Sequence, residues 1–181
     1  MILETERLLI RAWTMEDAAD LYKYAKDPRI GPKAGWPPHK DIEDSKKFIE
    51  YFYSAFGMFA LVYKETLEVI GFIGILIGEC SNFDIGENDG ELIYWIGVPY
   101  WNQGLITEAA EEMLWYGFDE LFLDTMWCGY FEGNHASRRV QEKCGFTFHH
   151  TIPKVLTLAN EEMTEQVMIL TREKWESMNT E

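Results

Sequence analysis

Apolar residues along this chain switch repeatedly between alternate spacing and a spacing of three to four, which predicts interleaved strands and helices. Leu8, Leu9 and Ile10 within residues 6–13 predict a strand that stops at Trp13. Thr14 and Asp17 then have capping-box spacing, so a helix is expected with Ala18, Leu21, Tyr22 and Ala25 buried, ending at Asp27-Pro28. Residues 29–40 predict a loop with a stiff aromatic stretch at 35–39. A second helix is expected over 42–56, with Phe48, Ile49 and Phe52 on one side.

Two apolar runs at 58–64 and 69–78, joined by KETLE, predict an antiparallel hairpin whose second strand is thinned by Gly71, Gly74 and Gly78. After a polar loop, ELIYWIGV puts Leu92, Tyr94 and Ile96 on one face and Ile93 and Trp95 on the other. Apolar residues on both faces mark a central strand. Leu105, Ala109, Met113 and Leu114 give a helix over 103–118, and residues 124–131 return to strand. Asn134 caps a further helix with Ala136, Val140 and Cys144 on its buried stripe and Gly145 past its end. Residues 146–158 and 164–171 predict a closing hairpin. No repeat or linker interrupts the pattern, so one domain over 1–181 is expected, mixing α and β.

Composition narrows the functional classes. The 181 residues carry 16 Lys and Arg against 31 Asp and Glu, a formal net charge of −15, which repels nucleic acid. Such a field concentrates a cationic ligand such as an amine, although solubility accounts for it equally well. Three cysteines without metal-ligand spacing predict neither a disulfide framework nor a metal site. The amino terminus has scattered charges and no apolar core, and no stretch reaches the roughly 18 residues that span a bilayer. A cytoplasmic protein without membrane attachment is expected.

The segment PYWNQGLITEAAEEM places Gly104 between a buried strand and an amphipathic helix. A helix start leaves about four backbone N–H groups unpaired and carries partial positive charge, so a pyrophosphate can sit there without a basic side chain. Thr107 adds a hydroxyl, while an ordinary strand-to-helix turn would use the same glycine. Neither a Walker loop nor a G-x-G-x-x-G turn is present at this junction.

This segment resembles the acetyl-coenzyme A loop of the GNAT superfamily, written Q/R-x-x-G-x-G/A. LETERLLIRAWTMEDA, PYWNQGLITEA, NHASRRVQEKCGF and MILTREKW follow the order and spacing of its ribosomal-protein N-terminal acetyltransferase branch, over nearly the whole chain. Trp101 and Ile106 depart from the usual loop, Ile106 adding bulk beside the expected diphosphate. The resemblance implies an α/β (α+β) acyl-CoA N-acyltransferase fold: a mixed, mostly antiparallel sheet, splayed where the cofactor arm inserts and flanked by helices. It implies an N-acetyltransferase moving acetyl from acetyl-CoA to a primary amine by direct attack, without a metal and without Cys144 as nucleophile. In that reading, backbone groups of Ile96, Gly97 and Val98 pair with the pantetheine arm. Asn102, Gln103, Gly104, Leu105, Ile106 and Thr107 wrap the diphosphate, and Asn134 and Ser137 reach the arm from the other side. A plain helix cap also accounts for Asn134.

The resemblance also makes Glu91 the general base, with a solvated strand-end carboxylate as the structural alternative. Relatives place a tyrosine acid seven residues after the asparagine, but that position is Gln141 here, and Ser137 is taken as the acid. Trp36 and His39 are assigned to the acceptor pocket, or alternatively to a hydrophobic lid. An α-amine with pKa near 8 costs only about 1.4 kcal/mol to deprotonate at pH 7, against about 4.6 for a lysine. The acceptor is therefore a protein N-terminus, as the branch implies, or a small amine such as a polyamine or amino sugar. Dimers are common in the branch, so a homodimer is compatible with it. A non-catalytic coenzyme A-binding sensor or interaction module is the alternative, resting on Gln141 and Ile106.

Overall fold

A computed structural model describes residues 2–55 and 57–180, apart from the Phe52 side chain. The first half holds β1 (Ile2–Glu4), β2 (Leu8–Ala12), α1 (Ala18–Ala25), α2 (Ile42–Phe48), β3 (Met58–Tyr63) and β4 (Glu68–Ile77). The second holds β5 (Asp89–Ile96), α3 (Leu105–Trp115), β6 (Thr125–Phe131), α4 (His135–Lys143), β7 (Thr147–Leu156), β8 (Glu162–Thr171) and α5 (Arg172–Met178). The strands form one sheet in the order β1-β2-β3-β4-β5-β6-β8-β7, antiparallel throughout except for β5 with β6. This is the mixed, mostly antiparallel sheet flanked by helices that the resemblance implies.

The parallel pair positions the site. β5 meets β6 only at Asp89↔Thr125, Gly90↔Met126 and Glu91↔Trp127, whereas its other edge pairs with β4 from Gly90 through Ile96. Beyond Glu91 the sheet therefore splays. Tyr94 and Trp95 point to opposite faces, as alternation requires: Tyr94 reaches α4, and the Trp95 indole donates to Tyr53 in the π-helical turn after α2. α3 is buried along Leu105, Ala109, Met113 and Leu114, as its spacing predicts.

Local chemistry explains the element starts. The Thr14 and Asp17 capping box forms, with the Thr14 N–H on Asp17 Oδ2 at 2.8 Å, and Arg11 clamps the same carboxylate. Asn134 Oδ1 accepts the Ser137 N–H at the start of α4, and Gly145 past its end adopts φ +89°.

Several expectations change. Tyr24 rather than Tyr22 is fully buried on α1, because it packs against Gly97 at the end of β5. Ala136 of α4 is exposed and Gln141 takes the buried position, since this helix turns one face to the splay instead of the core. The 29–40 loop contains a short 3-10 turn at Gly31–Ala34. The second helix becomes π-helical from Ile49 to Tyr53, and its expected end at residue 56 lies outside the described residues. β1 and α5 were not expected: β1 is three residues long, and α5 is polar except for Trp175, which stacks on Phe118 at 5.0 Å, and Met178.

Candidate active site

The splay between β5 and β6 opens into a cleft of about 400 Å³. Strand parity decides which backbone groups face it. The Gly97 N–H donates to Ile70 O on β4 at 2.8 Å, so the N–H and C=O of Ile96, one residue back, point away from β4 toward the gap. Tyr94 has the same parity. The Ile96 carbonyl accepts the Trp101 indole N–H at 3.0 Å, while the Gly97 and Val98 carbonyls accept the N–H groups of Tyr100 and Trp101. Of the backbone assigned to the cofactor arm, the Ile96 N–H is thus a donor aimed into the gap.

At the cleft mouth, residues 102–104 form an exposed turn with Asn102 at φ +59° and Gly104 at φ +78°. Both lie in the left-handed region, which costs a glycine nothing and which asparagine tolerates. The turn delivers the unpaired N–H groups at the start of α3 to the cleft, where Asn102, Gly104, Leu105, Ile106 and Thr107 all lie. Ile106 is only 7% exposed and packs in the core, so most of its bulk is directed away from the cleft. Trp101 is engaged by its bond to Ile96 and by Lys33, whose ammonium lies 5.3 Å from its ring centre.

Arg7 at the start of the chain anchors this turn, which the spacing of the motif did not reveal. Its guanidinium donates to Gln103 O at 2.9 Å and to Glu108 Oε2 at 2.7 Å, and its own N–H donates to Glu108 Oε1 at 2.8 Å. Burial opposes ionisation of Glu108, but the donors of Thr5 and Arg7 hold its carboxyl below the ordinary range. Although the whole chain is strongly acidic, Arg29, Lys33, Arg139 and Lys143 line the cleft, and no carboxylate lines it among the described residues. The site is suited to an anion.

The opposite wall is the first two turns of α4. Asn134 and Ser137 both line the cleft, and the Asn134 amide also spans to Lys33 O at 3.4 Å. Tyr94 crosses from β5, with its hydroxyl 3.0 Å from Ser137 Oγ and 3.2 Å from Ser137 O. Gln141, 1% exposed, donates from Nε2 to Gly129 O at 2.9 Å and to Ser137 Oγ at 3.2 Å. This polar cluster joins both walls.

Glu91 sits at the apex of the splay, 3% exposed. Burial pushes its carboxyl up, opposed by three donors from the turn after β4: the Asn82 N–H at 2.7 Å, Ser81 Oγ at 2.8 Å and Asn82 Nδ2 at 3.0 Å. Glu165 of β8 lies near it, in the space that a side chain at Gly129 would fill. Burial and the Glu91 charge push Glu165 up to about 7. No sequence motif marked Glu165. Trp36 packs on Trp95 with ring centres 5.8 Å apart, and His39, 5% exposed, bonds Ser45 Oγ at 2.8 Å. Burial holds the His39 imidazole below its ordinary range. Neither lines the cleft: Trp36 lies against Trp95 of its wall, and the His39 ring lies 5.5 Å from that of Trp36. Burial also pushes Cys144 up to about 12 and Cys128 well above its ordinary value, so neither thiol is ionised at neutral pH.

Strand backbone along one wall, with a helix start and basic side chains in the lining, suits the cleft to an anionic molecule. Residues 7–147 match the acetyltransferase (GNAT) domain family, and the chain belongs to it. It is 32% identical over 127 residues to the uncharacterized N-acetyltransferase p20 of Bacillus licheniformis, covering 67% of this chain and 68% of that protein. Over 75 residues it is 36% identical to the putative ribosomal N-acetyltransferase YdaF of Bacillus subtilis, covering 40% of this chain and 41% of that one. A GNAT-family acetyltransferase from Bacillus anthracis, 25% identical, superposes with a TM-score of 0.83 over 96% of this chain and 99% of the other. The protein is therefore an acyltransferase of the GNAT type. Among the described residues no helix is long and apolar enough to cross a membrane, and no cluster of metal-binding side chains occurs.

Proposed function

We propose that residues 1–181 act as one N-acetyltransferase domain that transfers acetyl from acetyl-CoA to a primary amine, in the cytoplasm and in a direct ternary complex. The observation that carries this reading is the Ile96 N–H aimed into the splay, in line with the α3 start at its mouth. The pantetheine arm would extend along β5 as an added strand, with its diphosphate on residues 102–107 and Asn134 and Ser137 on its far side. The protein contributes orientation and fixed donors, which stabilise a developing oxyanion without reorganising.

Glu91 serves as base through water, because its burial keeps it from direct contact with the acceptor. Trp36 and His39 shape the acceptor side through their packing on Trp95 and Phe48. The acceptor is a protein N-terminus or a small amine, a cation that the formal net charge of −15 attracts. Ser137, the acid that the resemblance implies, has its hydroxyl 3.0 Å from that of Tyr94 and acts on the departing thiolate through it. A homodimer is compatible with this arrangement.

Calorimetric titration with acetyl-CoA, followed by thiol release across N-terminal peptides, polyamines and amino sugars, tests the proposal. Binding with release on one amine class is expected. Binding without release on any amine would make the protein a coenzyme A-binding module, and no binding would remove the cofactor assignment.

A further inference from the structure

The resemblance implies a tyrosine acid at position 141, where this chain has a glutamine. The structure supplies a phenol to the same neighbourhood from another element. Tyr94 Oη lies 3.0 Å from Ser137 Oγ and 3.5 Å from Gln141 Nε2, and Tyr94 lines the cleft.

Depth along β5 places this hydroxyl on the path of the cofactor arm. Ile96 presents its N–H to the gap, Tyr94 lies two residues further in, about 7 Å at strand spacing, and the gap closes where Glu91 pairs with Trp127. An arm running inward from residues 102–107 along β5 therefore meets Ile96 first and Tyr94 next.

The bonds around Tyr94 also hold its hydroxyl in place. Gln141 Nε2 faces the Gly129 carbonyl, so the amide orientation is fixed: only its nitrogen can make that bond. Its second hydrogen faces both Ser137 Oγ at 3.2 Å and Tyr94 Oη at 3.5 Å, so this amide backs the two hydroxyls together. Tyr94 Oη has this amide as a donor, and its own proton has the Ser137 carbonyl at 3.2 Å, the Ser137 hydroxyl at 3.0 Å and the cleft before it. The cost of this arrangement is visible in Gln141 Oε1, which is buried without a partner.

We propose that Tyr94 is the proton donor to the coenzyme A sulfur, with Ser137 and Gln141 as positioning residues behind it. The inference rests on the acetyl-transfer reading above. As the amine nitrogen bonds to the acetyl carbon, the C–S bond breaks and its electron pair passes to sulfur, which takes the Tyr94 proton. The phenolate, held by the Ser137 hydroxyl, is reprotonated through water by the proton that the acceptor nitrogen loses. Acetyl amide and free thiol are the only products. Burial raises the Tyr94 hydroxyl well above its ordinary pKa, which keeps it protonated between turnovers.

The test combines turnover with titration of bound coenzyme A, followed by the ultraviolet absorbance of its thiolate. Tyr94→Phe is expected to lower kcat at least tenfold with acetyl-CoA affinity within twofold, and to raise the pH at which bound coenzyme A forms thiolate. Ser137→Ala should shift both quantities in the same direction by less. Coenzyme A binding with wild-type kcat and thiolate titration in Tyr94→Phe overturns this proposal alone. Failure of the wild-type protein to bind coenzyme A overturns the underlying reading as well. If Tyr94→Phe does not fold, an unchanged thiolate titration in Ser137→Ala overturns the relay.

Discussion

The two ends of the cleft are built from different materials. At the mouth, the groups proposed to bind the cofactor are mainly backbone: the Asn102 and Gly104 turn, the start of α3 and the Ile96 N–H, with a distant tie from Arg7 and basic side chains around them. At the apex the groups are buried side chains: Glu91 under its three donors and Glu165 against Gly129. Backbone donors survive a change of side chain, which is why Trp101 and Ile106 fit here. Trp101 bonds the Ile96 carbonyl and Ile106 joins the core. Buried side chains tolerate no such exchange, so substitutions should be costlier at the apex than at the mouth.

Glu91→Gln should produce the largest effect, lowering kcat about 100-fold while acetyl-CoA affinity stays unchanged. Steady-state kinetics beside calorimetry check this split; an equal loss in both would make Glu91 a structural support for the cleft.

Glu165→Gln should come next, and its effect depends on pH. The folded carboxyl ionises at about 7, above its ordinary value, so its contribution to stability falls as pH rises from about 4.5 to 7 and stays low beyond. The variant should be more stable than the parent by roughly 2 kcal/mol at pH 8 and nearly equal to it at pH 4. Thermal unfolding at both values measures this, and a pH-independent difference would sink the assignment.

Gly104→Val should weaken acetyl-CoA binding about tenfold, because a side chain at φ +78° costs about 1–2 kcal/mol in strain. A Cβ there meets only Arg7 Nη2 at 3.6 Å, so the fold itself should persist. Arg7→Ala should have the smallest effect, a few-fold loss of affinity, since it removes about 1 kcal/mol of hydrogen bonding that only orients the turn. A larger loss than for Gly104→Val would reverse the ranking within the mouth.

Features encoded locally were legible in the sequence. The capping box at Thr14, the two-faced β5 and the glycine before α3 each depend on neighbours a few residues away, and each stands as expected. Features that need distant partners were not. Arg7 meets Gln103 and Glu108 about a hundred residues away, and Glu165 acquires its environment from Gly129 and Glu91 on two other strands. Ala136 reads as core by its spacing, yet α4 turns that face to the splay, a property of the sheet and not of the helix. Likewise the alternation of β5 placed Tyr94 on a face, but only the third dimension brings its hydroxyl to Ser137.

Amide hydrogen exchange with and without acetyl-CoA tests the central claim most directly, because that claim concerns backbone groups. Added cofactor should slow exchange at Ile96 and at residues 104–107 while leaving β1 to β3 unchanged. Protection confined to other elements, or absent at Ile96, would contradict a cofactor arm laid along β5 in the splay.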